Sequence, residues 1–272
     1  MPPSSSLLIT TYNWEAALEA VLASVAEQRD MPTEVLVADD GSGAPTKAVV
    51  DKWAARIPVP VRHVWHEDRG FRLAAIRNRA LATARGDYIL MVDGDMVLHP
   101  QFVKSHLSFA RQGSYVQGGR VMLREEITKR FLSGERMSIG PLTRGIGNRA
   151  NTIYAPALSR FYRGARGPLD RTRGANLAYW LSDARRVNGF NEQLEGWGRE
   201  DSEFVARLQN AGVRRRNLKF GGIAYHLHHK TRSMASVDAN HAVYERVVRD
   251  RLTWCESGLT NYASPGEELS ST

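Results

Sequence analysis

At 272 residues, 42% hydrophobic and 24% charged, the chain has room for one large globular core and contains no apolar run near the roughly 20 residues of a membrane span. Its single cysteine, Cys255, excludes an internal disulfide and a cysteine-based zinc cluster, and with no basic, apolar leader in view a cytoplasmic protein is expected. The net charge of +8 is concentrated in residues 120–173, where twelve Lys or Arg face four acids; such a segment attracts phosphates, an anionic acceptor or an anionic membrane face, or else is a solvated basic loop.

In chain order, "SLLITTY" is a short apolar run ending in polar residues, and "EAALEAVLASVAEQ" repeats apolar residues at helical spacing. "TEVLVADDGSG" is a second buried-type strand that runs into acids and a glycine turn. "TKAVVDKWAARI" reads as a helix, "VRHVWHE" as a strand and "RLAAIRNRALATA" as a helix, and "DYILMVDGDMVL" reads as one further strong strand. This alternation predicts a mainly parallel sheet flanked by helices, with ligands bound beyond the carboxyl ends of its strands. From residue 111 to 173 the alternation fades, leaving only weak helix signals near "LREEITKRFLSG". "GANLAYWLSDARRVNGF" then reads as a strand and short helix, "DSEFVARLQNAG" as a helix stopped by Gly212, "KFGGIAYHLHH" as a strand and "VDANHAVYERVVRDRL" as a closing helix. Residues 257–272 are polar and read as a loose tail. The basic stretch has sparse aromatics and no recognisable binding module, so nucleic acid is not an expected partner.

Five groups of residues carry chemistry. Asp93 and Asp95, flanking Gly94 after an apolar strand, can turn toward one ligand and hold a hard divalent cation by oxygen. Asp39 and Asp40 precede Gly41; one of them suffices to cap a turn, which leaves the other for a ligand N–H. His226, His228 and His229 follow a strand, and period-two alternation puts His226 and His228 on one face, so either one joins Asp95 on a metal. Arg69, Arg72, Arg77 and Arg79 surround a helix start and suit a diphosphate, although a solvated helix face accounts for at least one. Finally, "EGWGREDSEF" crowds Glu195, Glu200, Asp201 and Glu203 behind Trp197 and two glycines. An acidic helix N-terminus explains Asp201 and Glu203 but not the Trp-Gly pair.

The runs at residues 5–110 resemble the nucleotide-sugar half of family 2 glycosyltransferases of the GT-A fold. "RGANLAYWLSDARRVNGFNEQLEGWGREDSEFVARLQNAG" is similar to the acceptor half of β-1,4-galactosyltransferases, bacterial chondroitin polymerases and polypeptide N-acetylgalactosaminyltransferases. The resemblance implies an α/β fold in which a Rossmann-like nucleotide-binding half, 1–110, is fused to an acceptor half, 174–256, with the basic insertion 111–173 between them. It implies Thr11 and Tyr12 beside the nucleoside, Asp40 or Asp39 on the uracil edge, and Phe71, Arg72 and Arg77 around base and diphosphate. Asp93 would contact ribose or metal, and Asp95 with His226 or His228 would bind Mn2+ or Mg2+. Gly174, Asn176 and Trp197 would shape the sugar site, with Glu200 on a sugar hydroxyl and Asp201 as the base of an inverting transfer. The implied function moves a hexose or N-acetylhexosamine from a UDP-sugar to a glycan or glycolipid acceptor, of the bacterial surface polysaccharide or lipopolysaccharide type. The enzyme would lie in the cytoplasm or on the inner face of the membrane. The competing readings are a retaining transferase, one using a GDP- or dTDP-sugar, and a non-catalytic sugar or polyanion binder on the same scaffold.

Overall fold

The computed structural model describes residues 2–135, 137–159, 161–162, 172, 174–229 and 237–262. The first half winds β1 (Ser5–Thr11), α1 (Glu15–Ala26), β2 (Glu34–Asp39), α2 (Ala44–Ala54), β3 (Val61–Trp65), α3 (Leu73–Thr83) and β4 (Tyr88–Asp93). β5 (Met96–Leu98), α4 (Phe102–Phe109), β6 (Ser114–Gly118), β7 (Val121–Leu123), α5 (Glu125–Leu132), β8 (Ile146–Gly147) and α6 (Pro156–Ser159) follow. The rest holds β9 (Asn176–Trp180), α7 (Leu181–Arg186), α8 (Glu200–Asn210), β10 (Arg214–Leu218), β11 (Ala224–His226) and α9 (Val237–Arg249).

A seven-stranded sheet runs β10-β6-β9-β4-β1-β2-β3. β9 lies antiparallel to both neighbours and the other pairings are parallel, so the expected mainly parallel, helix-flanked sheet is present. β1 is buried along its whole length because both of its faces are covered, which is why it reads as a continuous apolar run. Alternate residues feed two cores. Leu7, Ile9, Val35 and Leu90 pack with Leu18, Val21 and Leu22 of α1, whereas Leu8, Leu36, Ile89 and Met91 pack with Ile76 and Leu81 of α3 and Phe204 of α8.

The structure corrects three local expectations. "DYILMVDGDMVL" is broken after Asp93. Gly94 crosses behind β1, where a Cβ would stand 2.6 Å from the Thr10 carbonyl oxygen, and β5 then leaves for a second sheet, β5-β11-β7-β8. The stretch 111–173 supplies β6 to the first sheet, between β10 and β9, and β7 and β8 to the second. "RRRNL" is the edge strand β10, whose charged residues hid it from a search for apolar alternation. The tail expected to be loose begins with a short 3-10 turn at Leu259–Tyr262, and Leu259 is buried against α3's side of the sheet; residues 263–272 lie outside the described residues. Among the described residues no helix is long and apolar enough to cross a membrane.

Candidate active site

A cleft of about 950 Å³ opens at the carboxyl ends of β1, β2 and β4. Thr11, Tyr12 and Asp40 line one side, with Phe71 from the turn before α3. Asp93 and Asp95 lie at the break between β4 and β5, and His226 with His229 at the end of β11. Trp197, Glu200 and Asp201 approach from the start of α8, beside Gly174. The two carboxylates on which the sequence reading depends, Asp95 and Asp201, therefore line one cleft.

The loop before α8 is built to place its acids. Gly196 and Gly198 have φ of 75° and 108°, and Arg199 is itself left-handed at 77°, a cost of about 1–3 kcal/mol for a residue with a side chain. The Arg199 guanidinium lies 5.2 Å from the Tyr244 ring of α9, and Asn240 of the same helix donates to the carbonyls of Glu195 and Gly198. One turn into α8, Glu203 and Arg207 are wholly buried and joined by two hydrogen bonds, Nε to Oε1 at 2.9 Å and Nη2 to Oε2 at 2.7 Å. Arg207 also donates to the carbonyls of Val187 and Gly189, locking the helix against the turn after α7.

Asp201 is held on both oxygens. Arg77 Nη1 donates to Oδ1 at 2.7 Å and the Gly174 N–H to Oδ2 at 2.6 Å. A Cβ on Gly174 would stand 2.3 Å from Oδ1, so this approach requires glycine. Arg77 also reaches Asp93 Oδ1 at 3.4 Å. Burial by itself lowers the guanidinium's pKa, but the charges of Asp201, Asp93 and Glu200 outweigh it and raise the pKa. Glu200 is buried beside this pair and accepts the Gly198 N–H at 3.1 Å. Burial, reinforced by the Asp201 charge, pushes its carboxyl up to about 7.

Asp95, His226 and His229 form the candidate metal centre, one ligand atom from each lying within 4.8 Å of the others. His226 Nε2 is 3.6 Å and His229 Nε2 3.3 Å from Asp95 Oδ2. One carboxylate with two imidazoles fits Mn2+ better than Mg2+, which prefers oxygens throughout. His228 is displaced from its expected role. β11 ends at His226, so the period-two alternation stops there; His228, its N–H bound to Thr128 Oγ1, lines no part of the cleft, while His229, also exposed, reaches Asp95.

Three further residues stand apart from the cleft lining. Asp39 is the turn-capping acid: it accepts the Ser42 N–H at 2.8 Å and contacts His63 at 2.8 Å, leaving Asp40 to face the cleft. Asp40 is in turn braced by His66 Nε2 at 2.7 Å and the Arg72 N–H at 3.0 Å. The Arg72 side chain bonds the Glu67 carbonyl. Asn176 turns away to bond the carbonyls of Gly119 and Gly222 and the ring of His106. Arg77, expected on a diphosphate, is 1% exposed and committed to the two aspartates. His66 carries no role in the sequence pattern and His229 is off the face that alternation gives to His226 and His228; "WHED" at the end of β3 was the available signal for the first.

The family described as Glycosyl transferase family 2 matches residues 6–166, and the N-terminal domain of galactosyltransferase matches residues 159–230. The chain is 27% identical over 237 residues to the chondroitin synthases of Pasteurella multocida and Escherichia coli. That alignment covers 81% of this chain but only 24% and 34% of those relatives, so the chain spans about a third of their length or less. Two solved structures share the GT-A fold. A mannosyltransferase from Pyrobaculum calidifontis, in complex with GDP-Man and Mn2+, has a TM-score of 0.61 at 20% identity over 92% of this chain and 65% of that one. S. aureus TarS, in complex with UDP-GlcNAc, has a TM-score of 0.62 at 20% identity over 95% and 69%. With more than half of its length matched, from the first strand of the central sheet through residue 166, this chain belongs to glycosyl transferase family 2.

Proposed function

We propose that this chain transfers a hexose or N-acetylhexosamine, with inversion, from a UDP-sugar to a hydroxyl of a glycan or glycolipid. The observation that carries the reading is the convergence of Asp201 and the Asp95–His226–His229 cluster on one cleft. The chondroitin synthase relatives and the nucleotide-sugar complexes of the two similar structures support the class of reaction.

Asp40 keeps a lone pair on each oxygen beyond its bonds to His66 and Arg72, enough to accept a base N–H. Trp197, 39% exposed, offers a flat apolar face to a sugar ring. Asp201, fixed by Arg77 and Gly174, takes the acceptor hydroxyl's proton as that oxygen bonds to the sugar's C1 and the bond from C1 to the diphosphate breaks. Glu200, half protonated near neutrality, exchanges hydrogen bonds with a sugar hydroxyl. A divalent cation at Asp95, His226 and His229 would neutralise charge on the departing diphosphate.

Nucleoside diphosphate release measured across a panel of UDP-, GDP- and dTDP-sugars with Mn2+ tests the reading, with a UDP-sugar expected to be the productive donor. Wild type is expected to hydrolyse one donor slowly without acceptor, and Asp201→Asn to lose transfer by about 10²–10⁴-fold while still binding donor. A GDP- or dTDP-sugar as the only productive donor would replace the UDP assignment. Release by no donor, with Asp201→Asn indistinguishable from wild type in ligand binding, would leave a non-catalytic binder.

A further inference from the structure

A second cavity of about 350 Å³ lies along the same rim, at the carboxyl ends of β6 and β10. β10 is the edge strand and pairs in parallel with β6, Asn217 opposite Gln117. Period-two alternation sends Arg215 and Asn217 to one side, into this cavity, and Lys219, just past the end of β10, lines it as well. Arg216 points the other way, its guanidinium 3.9 Å from the Phe109 ring. Arg120 also lines the cavity, as does Tyr162 of the basic segment, and among the described residues no Asp or Glu does.

Two of these cations, Arg215 and Lys219, are poorly compensated. Arg215 spends Nε on Asn217 Oδ1 at 3.0 Å, and its buried Nη1 has no hydrogen-bond partner among the described residues. Lys219 donates to the neutral Asn151 amide oxygen, at 2.5 Å, and burial holds its pKa below the ordinary lysine value. A buried guanidinium N–H left without an acceptor is costly, and an oxyanion removes that cost. The cavity also joins the main cleft. Arg120 and Ala175 line both, and Ala175 follows Gly174, whose N–H holds Asp201.

We propose that this cavity is an acceptor subsite for an oxyanion, a carboxylate or phosphate carried on the acceptor saccharide, bound by Arg215, Lys219 and Arg120 beside the hydroxyl that Asp201 deprotonates. The proposal deepens, and rests on, the transferase reading of the main cleft. Part of the basic segment thereby selects which acceptors are used.

Calorimetric titration of the full chain, saturated with UDP, with methyl glucuronide, glucose 6-phosphate and methyl glucoside tests it. One of the two anions is expected to bind about tenfold or more tightly than the neutral glucoside, and the stronger of them identifies carboxylate or phosphate. The preference should fade as NaCl rises from about 50 to about 500 mM, a measurement that needs only wild type. It should disappear in Arg215→Gln combined with Lys219→Met. Equal affinities in wild type, or a preference that survives salt and both substitutions, overturns the subsite. UDP-sugar hydrolysis by wild type separates the two claims. Hydrolysis without anion preference sinks the subsite alone; anion preference without hydrolysis of any donor sinks the transferase reading and, with it, the acceptor assignment.

Discussion

Neighbouring acids at the start of α8 are given different roles by their surroundings. Asp201 is held by a guanidinium and a backbone N–H, while Glu200 has one backbone N–H and a buried position beside the Asp201 charge that together raise its carboxyl from 4.5 to about 7. In the unfolded chain Glu200 releases its proton near 4.5 and in the folded chain near 7, so between those values the folded state binds more protons. Its contribution to stability is fully present below pH 4.5 and lost as pH rises through about 7. Glu200→Gln, which keeps an oxygen for the Gly198 N–H, should therefore flatten the loss of stability between pH 4.5 and 7. It should raise stability at about pH 8 by an amount on the order of 3 kcal/mol or less, read from urea unfolding at each pH. An unchanged pH profile would mean that Glu200 is ionised in the folded state. The acidity of "GREDSEF" was plain in the sequence, but the division of labour was not, because Arg77 is 124 residues away.

At the scale of elements, α8 matters as a rigid mount. Its acids form the first turn of a helix whose buried Glu203–Arg207 pair ties it to the turn after α7, and whose outer face packs Ala206 against Tyr244 and Val247 of α9. Removing one member leaves a buried charge unpaired, so Arg207→Met should cost about 3–5 kcal/mol in unfolding free energy, measured by urea titration. Adding Glu203→Leu should recover a large part of the loss. A single-variant cost under about 1 kcal/mol would show that the pair is not what anchors the helix. The element itself was legible, since "DSEFVARLQNAG" carries helical periodicity and a stop at Gly212. β6 and β10 were not. One is a five-residue strand in a glycine- and arginine-rich stretch and the other a charged edge, and neither shows an alternation that local pattern can detect.

Across the whole molecule, the candidate metal centre sits where the two sheets meet. Asp95 leaves β4 for β5, β5 pairs with β11 so that Met96 faces His226, and the Leu227 N–H bonds the Asp95 carbonyl. An ion bound there would link the sheets and would stabilise the folded state by about 2.7 kcal/mol at a hundredfold excess over its Kd. Excess MnCl2 should raise the Tm of wild type and of His228→Ala but not of Asp95→Asn or His229→Ala, and EDTA should reverse the rise. A shift lost in His228→Ala and kept in His229→Ala would restore His228 as one of the two histidines that strand alternation allows. The sequence by itself determined which residue types could do the chemistry and the mainly parallel sheet whose rim gathers them, because apolar period and turn residues act over a strand or a helical turn. Only the tertiary structure decided that His226 and His229, and not His228, lie beside Asp95, that Asp39 caps while Asp40 faces the cleft, and that Arg77 pairs with Asp201 and Asp93. Those choices depend on where chain ends and turns fall against distant elements, and such contacts form only when the separate strands and helices pack.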